Sequence, residues 1–228
     1  TFMISGLTIL FGFPAPIILA LMINEVKNSA FKRTVQTITY MPYFISMVVL
    51  CGLLKTFCMQ DGLFAQIAVL FGGKAQNYLA NPSYFRTIYV LSDIWSGIGW
   101  NSIIYLAALS SIDQEQYEAA RVDGANRFKQ MIHITLPGLV PTIMVLFILR
   151  MGNILNVGYE KILLLYNSAT YSTADVISTY TYRLSFGGSG NPMYSKSTAI
   201  GLFNTIINVF FLMLTNMISK KATDAGLF

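Results

Sequence analysis

Five apolar stretches, at about residues 2–23, 35–57, 87–111, 136–157 and 197–218, decide most of what this chain can become. Crossing the hydrocarbon core of a bilayer takes about 20 mostly apolar residues, and each stretch reaches that length. Together they offer far more apolar surface than a water-soluble core could bury. Hydrophobic residues make up 54% of the chain and charged ones only 11%, against roughly 25% charged in an average soluble domain. Inside lipid the backbone must satisfy its own hydrogen bonds, and single runs of this length do so as helices. The expectation is an all-α membrane protein, a polytopic helical bundle of five spans forming one domain over residues 1–228.

Orientation follows from the basic residues between the spans. Segments 24–34, 112–135 and 219–228 hold Lys27, Lys32, Arg33, Arg121, Arg127, Lys129, Lys220 and Lys221. The two longer segments, 58–86 and 158–196, hold only Lys74, Arg86, Lys161, Arg183 and Lys196. The first set is expected to face the cytoplasm and the second the outside. This bias and the attraction of anionic headgroups account for the net charge of +5, so no nucleic acid is called for. The chain opens at Thr1, almost inside an apolar run and without a basic leader, which reads as a clipped end with a further helix upstream rather than a signal peptide. Cys51 and Cys58 stand two helical turns apart, too far to be bridged, and read as packing residues.

Proline interrupts the spans. Pro14 and Pro16 in the first and Pro42 in the second should kink or unwind their helices. The long outer segment 158–196 reads as an ordered Tyr/Ser/Thr-rich surface followed by a tight Gly-rich turn.

Most covalent chemistry is excluded by subtraction. A single histidine, His133, rules out HExxH and any His-rich metal site. "FGGSGN" lacks the last glycine of a nucleophile elbow. "FGGKA" ends in alanine where a Walker A loop needs Ser or Thr. The chain carries no motif for hydrolysing ATP and needs no cofactor of its own.

One stretch departs from the membrane pattern: "EAARVDGANRFKQMIHITLPG", residues 118–138. From Asp113 to Gln130 the residues favour a helix, with Asp113 as its N-cap, Glu115 and Glu118 near its start, and Arg127 and Lys129 near its end. Ala119 and Ala120 offer a narrow surface for close approach by another protein. Gly124, which costs about 1 kcal/mol relative to alanine in a helix, marks a bend or a tight contact. Pro137 fits the first turn of the next span.

Polar groups inside the spans point to a path. A charged group at the bilayer centre costs about 2.5–3.5 kcal/mol on insertion scales, so Asp93 and Arg150 need a reason to be there. Arg150, Asn153 and Asn156, with Glu160 beyond, recur at about three-residue spacing and are expected along one face of the fourth helix. Asp93 falls near the outer end of the third predicted span. Trp95, Trp100 and Asn101 on that span add rings and an amide, the mixture that sugars use for stacking and hydrogen bonding.

Glu118, Ala119, Ala120, Gly124, Ile134, Leu136 and Pro137 stand at spacings that resemble the EAA loop of type I ABC importer permeases. "FGFPAPIILALMINEVKNSAFKRTVQTITYMPYFIS", "IWSGIGWNSIIYLAALSSIDQEQYEAARVDGAN", "NILNVGYEKILLLYN" and the terminal "GLF" are similar to the lipoprotein-associated carbohydrate-uptake subgroup, and the likeness covers nearly the whole chain. The resemblance implies a multi-pass permease of the bacterial cytoplasmic membrane that imports oligo- or polysaccharide. It implies that segment 112–135 is a coupling loop seated in a cleft of a separate ATPase, which binds the ATP and Mg²⁺. The implied partners are a second homologous permease, two ATPase subunits and an extracytoplasmic substrate-binding lipoprotein. The alternative left open by the residues is a stand-alone channel or receptor-like scaffold whose cytoplasmic helix binds another regulator.

Overall fold

The computed structural model describes residues 1–187, 191–223, 226 and 227, and within these the chain is helical without strands. We number the helices α1 (Phe2–Glu25), α2 (Ser29–Tyr40), α3 (Met47–Cys58), α4 (Leu63–Leu70), α5 (Pro82–Ser110), α6 (Gln114–Val122), α7 (Arg127–Met151), α8 (Tyr159–Leu165), α9 (Ile177–Phe186) and α10 (Tyr194–Thr223). The stretches Phe2–Glu25, Met47–Leu70, Arg127–Met151 and Tyr194–Lys221 are long and apolar enough to cross a membrane. The third predicted span is α5, whose 29 residues suffice for a crossing although Arg86 and Asp93 lower its hydropathy.

Proline shapes the spans as expected, with more variety than a simple kink. In α1 the turn Thr8–Gly12 widens to π geometry just before Pro14, and in α7 Met131–Thr135 does the same just before Pro137. A proline has no N–H and its ring collides with the carbonyl four residues back, so the ladder opens one turn upstream. Pro42 acts more strongly. The second predicted span, 35–57, is not one helix: α2 ends at Tyr40, Met41–Phe44 form a 3₁₀ turn, and α3 restarts at Met47 with Ser46 as its N-cap. The fourth predicted span, 136–157, is likewise displaced, starting at Arg127 and ending at Met151.

Helix α5 is the axis of the bundle, packed by α1, α2, the 41–44 turn, α7 and the short turn Tyr171–Ala174. Gly99 makes the α2 crossing possible, because a Cβ there would collide with the Thr39 carbonyl oxygen. Two apolar cores sit at opposite ends of α5. The outer one joins Phe85, Tyr89 and Val90 to Leu50, Cys51, Cys58, Ile162 and Leu165; both cysteines are free and buried there. The inner one joins Tyr105 and Leu109 to Ala20 and Leu139. Between them α5 carries Asp93, Gly97 and Asn101. Because α5 begins at Pro82, Asp93 lies near the helix middle rather than near its outer end.

Segment 158–196 is ordered as α8, Tyr171–Ala174 and α9, and the Gly-rich turn expected at its end falls on residues 188–190, outside the described residues. Asp175 and Arg183 fasten it with paired bonds of 2.9 and 2.6 Å. Burial acts to raise the Asp175 carboxyl, but hydrogen bonds from Arg183 and Thr179 outweigh it and hold the group below its usual range.

Candidate functional site: adjoining cavities between two cores and an exposed loop

After Met151 the chain leaves α7 and turns through residues 152–158 before entering α8. Gly152 allows the turn to lie against Leu212 of α10, where a Cβ would meet that side chain at 2.6 Å. Ser5 Oγ donates to the Ile154 carbonyl, Leu155 N–H donates to Asn208 Oδ1 at 3.2 Å, and Asn204 Nδ2 donates to Asn156 Oδ1 at 3.4 Å. Asn153 and Asn156 are therefore not on a helical face with Arg150. They reach the same cavity because the turn folds back over it.

That outer cavity, about 440 Å³, is lined by Ser5, Thr8, Tyr89, Asp93, Arg150, Asn153, Asn156, Tyr159, Glu160 and Lys161, among others. A second, inner cavity of about 190 Å³ lies along α5 and α1, with Thr8, Phe13, Asp93, Gly97, Asn101, Tyr105 and Arg150 in its wall. Asp93, Arg150 and Thr8 belong to both. The candidates Asp93, Asn101, Arg150, Asn153, Asn156 and Glu160 thus surround two adjoining polar spaces between the apolar cores.

The tryptophans lie elsewhere. Trp95 is about 200° round α5 from Asp93 at 100° per residue, and it lines an apolar groove with Leu50, Leu53, Phe57 and Leu91. Trp100 stacks on Tyr43 at 4.7 Å and meets Phe44 edge-on at 5.8 Å, so the broken α2–α3 corner occupies its ring.

Sequence reasoning missed Lys161, which had been counted as an external loop charge. Only 2% of its side chain is exposed. Its Nζ donates to the Tyr89 carbonyl at 3.0 Å, stands 3.4 Å from Asp93 Oδ1 and lies 4.4 Å above the Tyr89 ring. Nothing in "YEKILLL" marks a buried lysine; its role appears only once α8 folds against α3 and α5.

At the other end, Asp113 Oδ1 caps α6 by accepting from Glu115 N–H at 3.0 Å, as expected. The helix does not run on to Gln130. It ends at Val122, Gly124 takes φ +73°, and Asn126 caps a new start at Arg127. Gly124 is the bend because only glycine enters that left-handed region without strain. Lys129 and Arg127 therefore open α7 rather than close α6. Tyr117 bonds Thr135 at 3.0 Å and Arg127 pairs with Glu25 at 3.5 Å, tying the loop to α7 and to the end of α1. Glu118, Ala119, Gly124 and Pro137 are exposed, while Ala120, Ile134 and Leu136 are half-buried. Two apolar side chains unmarked by the motif, Val122 and Phe128, stand 87% and 65% exposed on this loop. Exposed large apolar groups in a polar segment point to a protein contact.

Residues 12–224 match the family model described as binding-protein-dependent transport system inner membrane component. Protein LplB of Bacillus subtilis (strain 168) is 42% identical over 229 residues, covering 100% of this chain and 71% of that protein. The polygalacturonan/rhamnogalacturonan transport system permease protein YteP of the same organism is 40% identical, covering 100% and 70%. Among solved structures, a bacterial alginate ABC transporter in complex with alginate pentasaccharide-bound periplasmic protein contains a chain 46% identical to this one, with a TM-score of 0.94 over 99% of this chain and 77% of that one. A bacterial ABC transporter involved in the import of the acidic polysaccharide alginate gives 47% identity and a TM-score of 0.92 over 97% and 77%. The chain belongs to the family of inner-membrane permease subunits of binding-protein-dependent transport systems, and it is a transporter subunit rather than an enzyme.

Proposed function

We propose that this chain, acting as one permease domain, forms half of a carbohydrate pathway whose opening is driven by ATP hydrolysed on another subunit. The observation that carries this reading is the pair of adjoining polar cavities between two apolar cores, walled by Asp93, Asn101, Arg150, Asn153 and Asn156. Amides and hydroxyls in such a space can exchange hydrogen bonds with sugar hydroxyls as each displaces water. The substrate is an oligo- or polysaccharide fragment delivered by an extracytoplasmic binding lipoprotein to the outer face. YteP and the alginate transporters, named for polymeric carbohydrates, support that class.

Coupling runs through Glu118, Ala119, Ala120, Gly124, Ile134, Leu136 and Pro137. The exposed half of this set enters the cleft of an ATPase subunit, where ATP and Mg²⁺ are bound, and half-buried Ile134 and Leu136 root it in α7. A second homologous permease and a second ATPase subunit complete the assembly. The test is ATP-driven uptake of labelled oligosaccharide into proteoliposomes holding the whole complex and its binding protein. Uptake that needs all the subunits is the expected result; uptake by this chain alone would replace the reading with a stand-alone channel.

A further inference from the structure

We infer that the imported carbohydrate carries carboxylate groups and that Arg150 receives one of them where the two cavities join. The inference rests on the carbohydrate-import reading above and narrows its substrate class.

Arg150 is exposed along the wall of both cavities. Its carbonyl accepts from Asn153 N–H at 3.1 Å, but among the described residues its guanidinium makes no ion pair and no hydrogen bond, so the cationic fork is uncommitted. The other cation at this depth, Lys161, differs in both respects, being buried and bound to Asp93 and the Tyr89 carbonyl. In the inner cavity the charged groups of the described lining are Asp93 and Arg150. Asp93 has Lys161 as its counter-ion at 3.4 Å, although 40% of its side chain stays exposed, so the guanidinium is the charge in this wall that lacks a counter-ion. Glu160, the remaining acid, opens on the outer cavity and not on the inner one.

A free guanidinium inside a membrane protein is expensive to keep, and a neutral hydroxyl would not repay it as well as an anion. A carboxylate would, because the planar fork can donate two parallel charge-assisted bonds to its two oxygens. The same wall holds Asn101, which can bond hydroxyls, and Phe13, whose ring can pack on a sugar face. This combination fits a uronic acid unit. Polygalacturonan and alginate, the polymers named for two of the relatives, are built from such units.

The experiment is import of galacturonate and mannuronate tetramers, and of neutral glucose and arabinose tetramers, by the reconstituted complex with its binding protein. Wild type should import at least one uronate tetramer. Arg150→Gln should cut that import by about tenfold or more, as expected for a lost charged hydrogen bond, with subunit assembly retained on size-exclusion chromatography. Arg150→Lys, which keeps the charge and loses the fork, should raise KM for the uronate about threefold with kcat held. If Arg150→Gln does not assemble, the Arg150→Lys result decides. Unchanged uronate import in Arg150→Gln, or an unchanged KM in Arg150→Lys, would overturn the inference. Import confined to neutral tetramers would overturn it and leave carbohydrate import standing, whereas import of none of the four would count against carbohydrate import itself.

Discussion

Lys161 Nζ lies 3.4 Å from Asp93 Oδ1, and the two ends of this pair are unequally dry: 2% of the lysine side chain is exposed against 40% of the aspartate. The inequality predicts unequal damage. Asp93→Asn keeps an amide oxygen beside the ammonium but removes its countercharge, leaving a buried, unneutralised lysine, a loss of about 3 kcal/mol. Lys161→Met leaves a carboxylate that water can reach and should cost less. Thermal melting of the purified complex should rank the variants in that order, with the double variant more stable than Asp93→Asn alone. The reverse order would mean that the pair does not tie α8 to α5.

Gly124 at φ +73° makes its own prediction about the loop. Nothing lies within 4 Å of a Cβ added there, so a larger residue suffers from backbone strain of about 1–2 kcal/mol rather than from a clash within the chain. Gly124→Val should reduce substrate-stimulated ATPase activity, and Gly124→Asn, which tolerates the left-handed region, should retain most of it. Equal loss in both would assign the effect to side-chain bulk in the ATPase cleft instead.

Phe128 is one of the two exposed apolar groups on this loop that the motif did not single out. Phe128→Ala removes little buried surface within the chain, since 65% of the residue is exposed, so melting of the isolated permease pair should hardly change. Affinity for the ATPase subunit, measured by co-purification at falling concentration, should drop about tenfold or more if the ring is an anchor. Unchanged co-purification would remove Phe128 from the interface.

The outer segment should respond to acid through Asp175. Its carboxyl is held below the usual range in the folded protein, so the stabilisation is fully present above the unfolded pKa of about 3.9 and is lost as pH falls through the lower folded value. Proteolysis of segment 158–187 should therefore be unchanged from pH 7 to 5 and accelerate below about pH 4. Asp175→Asn should be equally susceptible at both ends of that range.

Orientation has a direct check. In a background lacking Cys51 and Cys58, a cysteine at Lys129 should react with an impermeant thiol reagent only from the cytoplasmic side, and one at Ser168 only from outside. Reversed labelling would overturn the assignment built on the basic residues.

What could be read from the sequence follows physical locality. The Asp113 cap, the proline distortions and the bend at Gly124 are set by residues within a turn or two of the effect. The break at Met41–Phe44 was harder, because an apolar run looks the same whether one helix or two cover it. Arg150, Asn153 and Asn156 were grouped by helical spacing, yet they share a cavity because the chain turns after Met151 and is held by Ser5 and Asn208, partners about 150 and 50 residues away. Lys161 was hidden for the same reason. Its partners on α5 are about 70 residues distant, and no local pattern marks such a pairing.

The central claim is that carbohydrate passes through the polar space beside Asn101 and Arg150. Asn101→Trp puts an indole into the inner cavity of about 190 Å³, away from the coupling loop. The decisive measurement is ATP-driven oligosaccharide uptake by the reconstituted complex carrying this substitution, alongside its assembly and basal ATPase rate. The account predicts that uptake falls at least about tenfold while assembly and basal hydrolysis stay at wild-type levels. Wild-type uptake through the filled cavity would contradict it and would place the path outside this space.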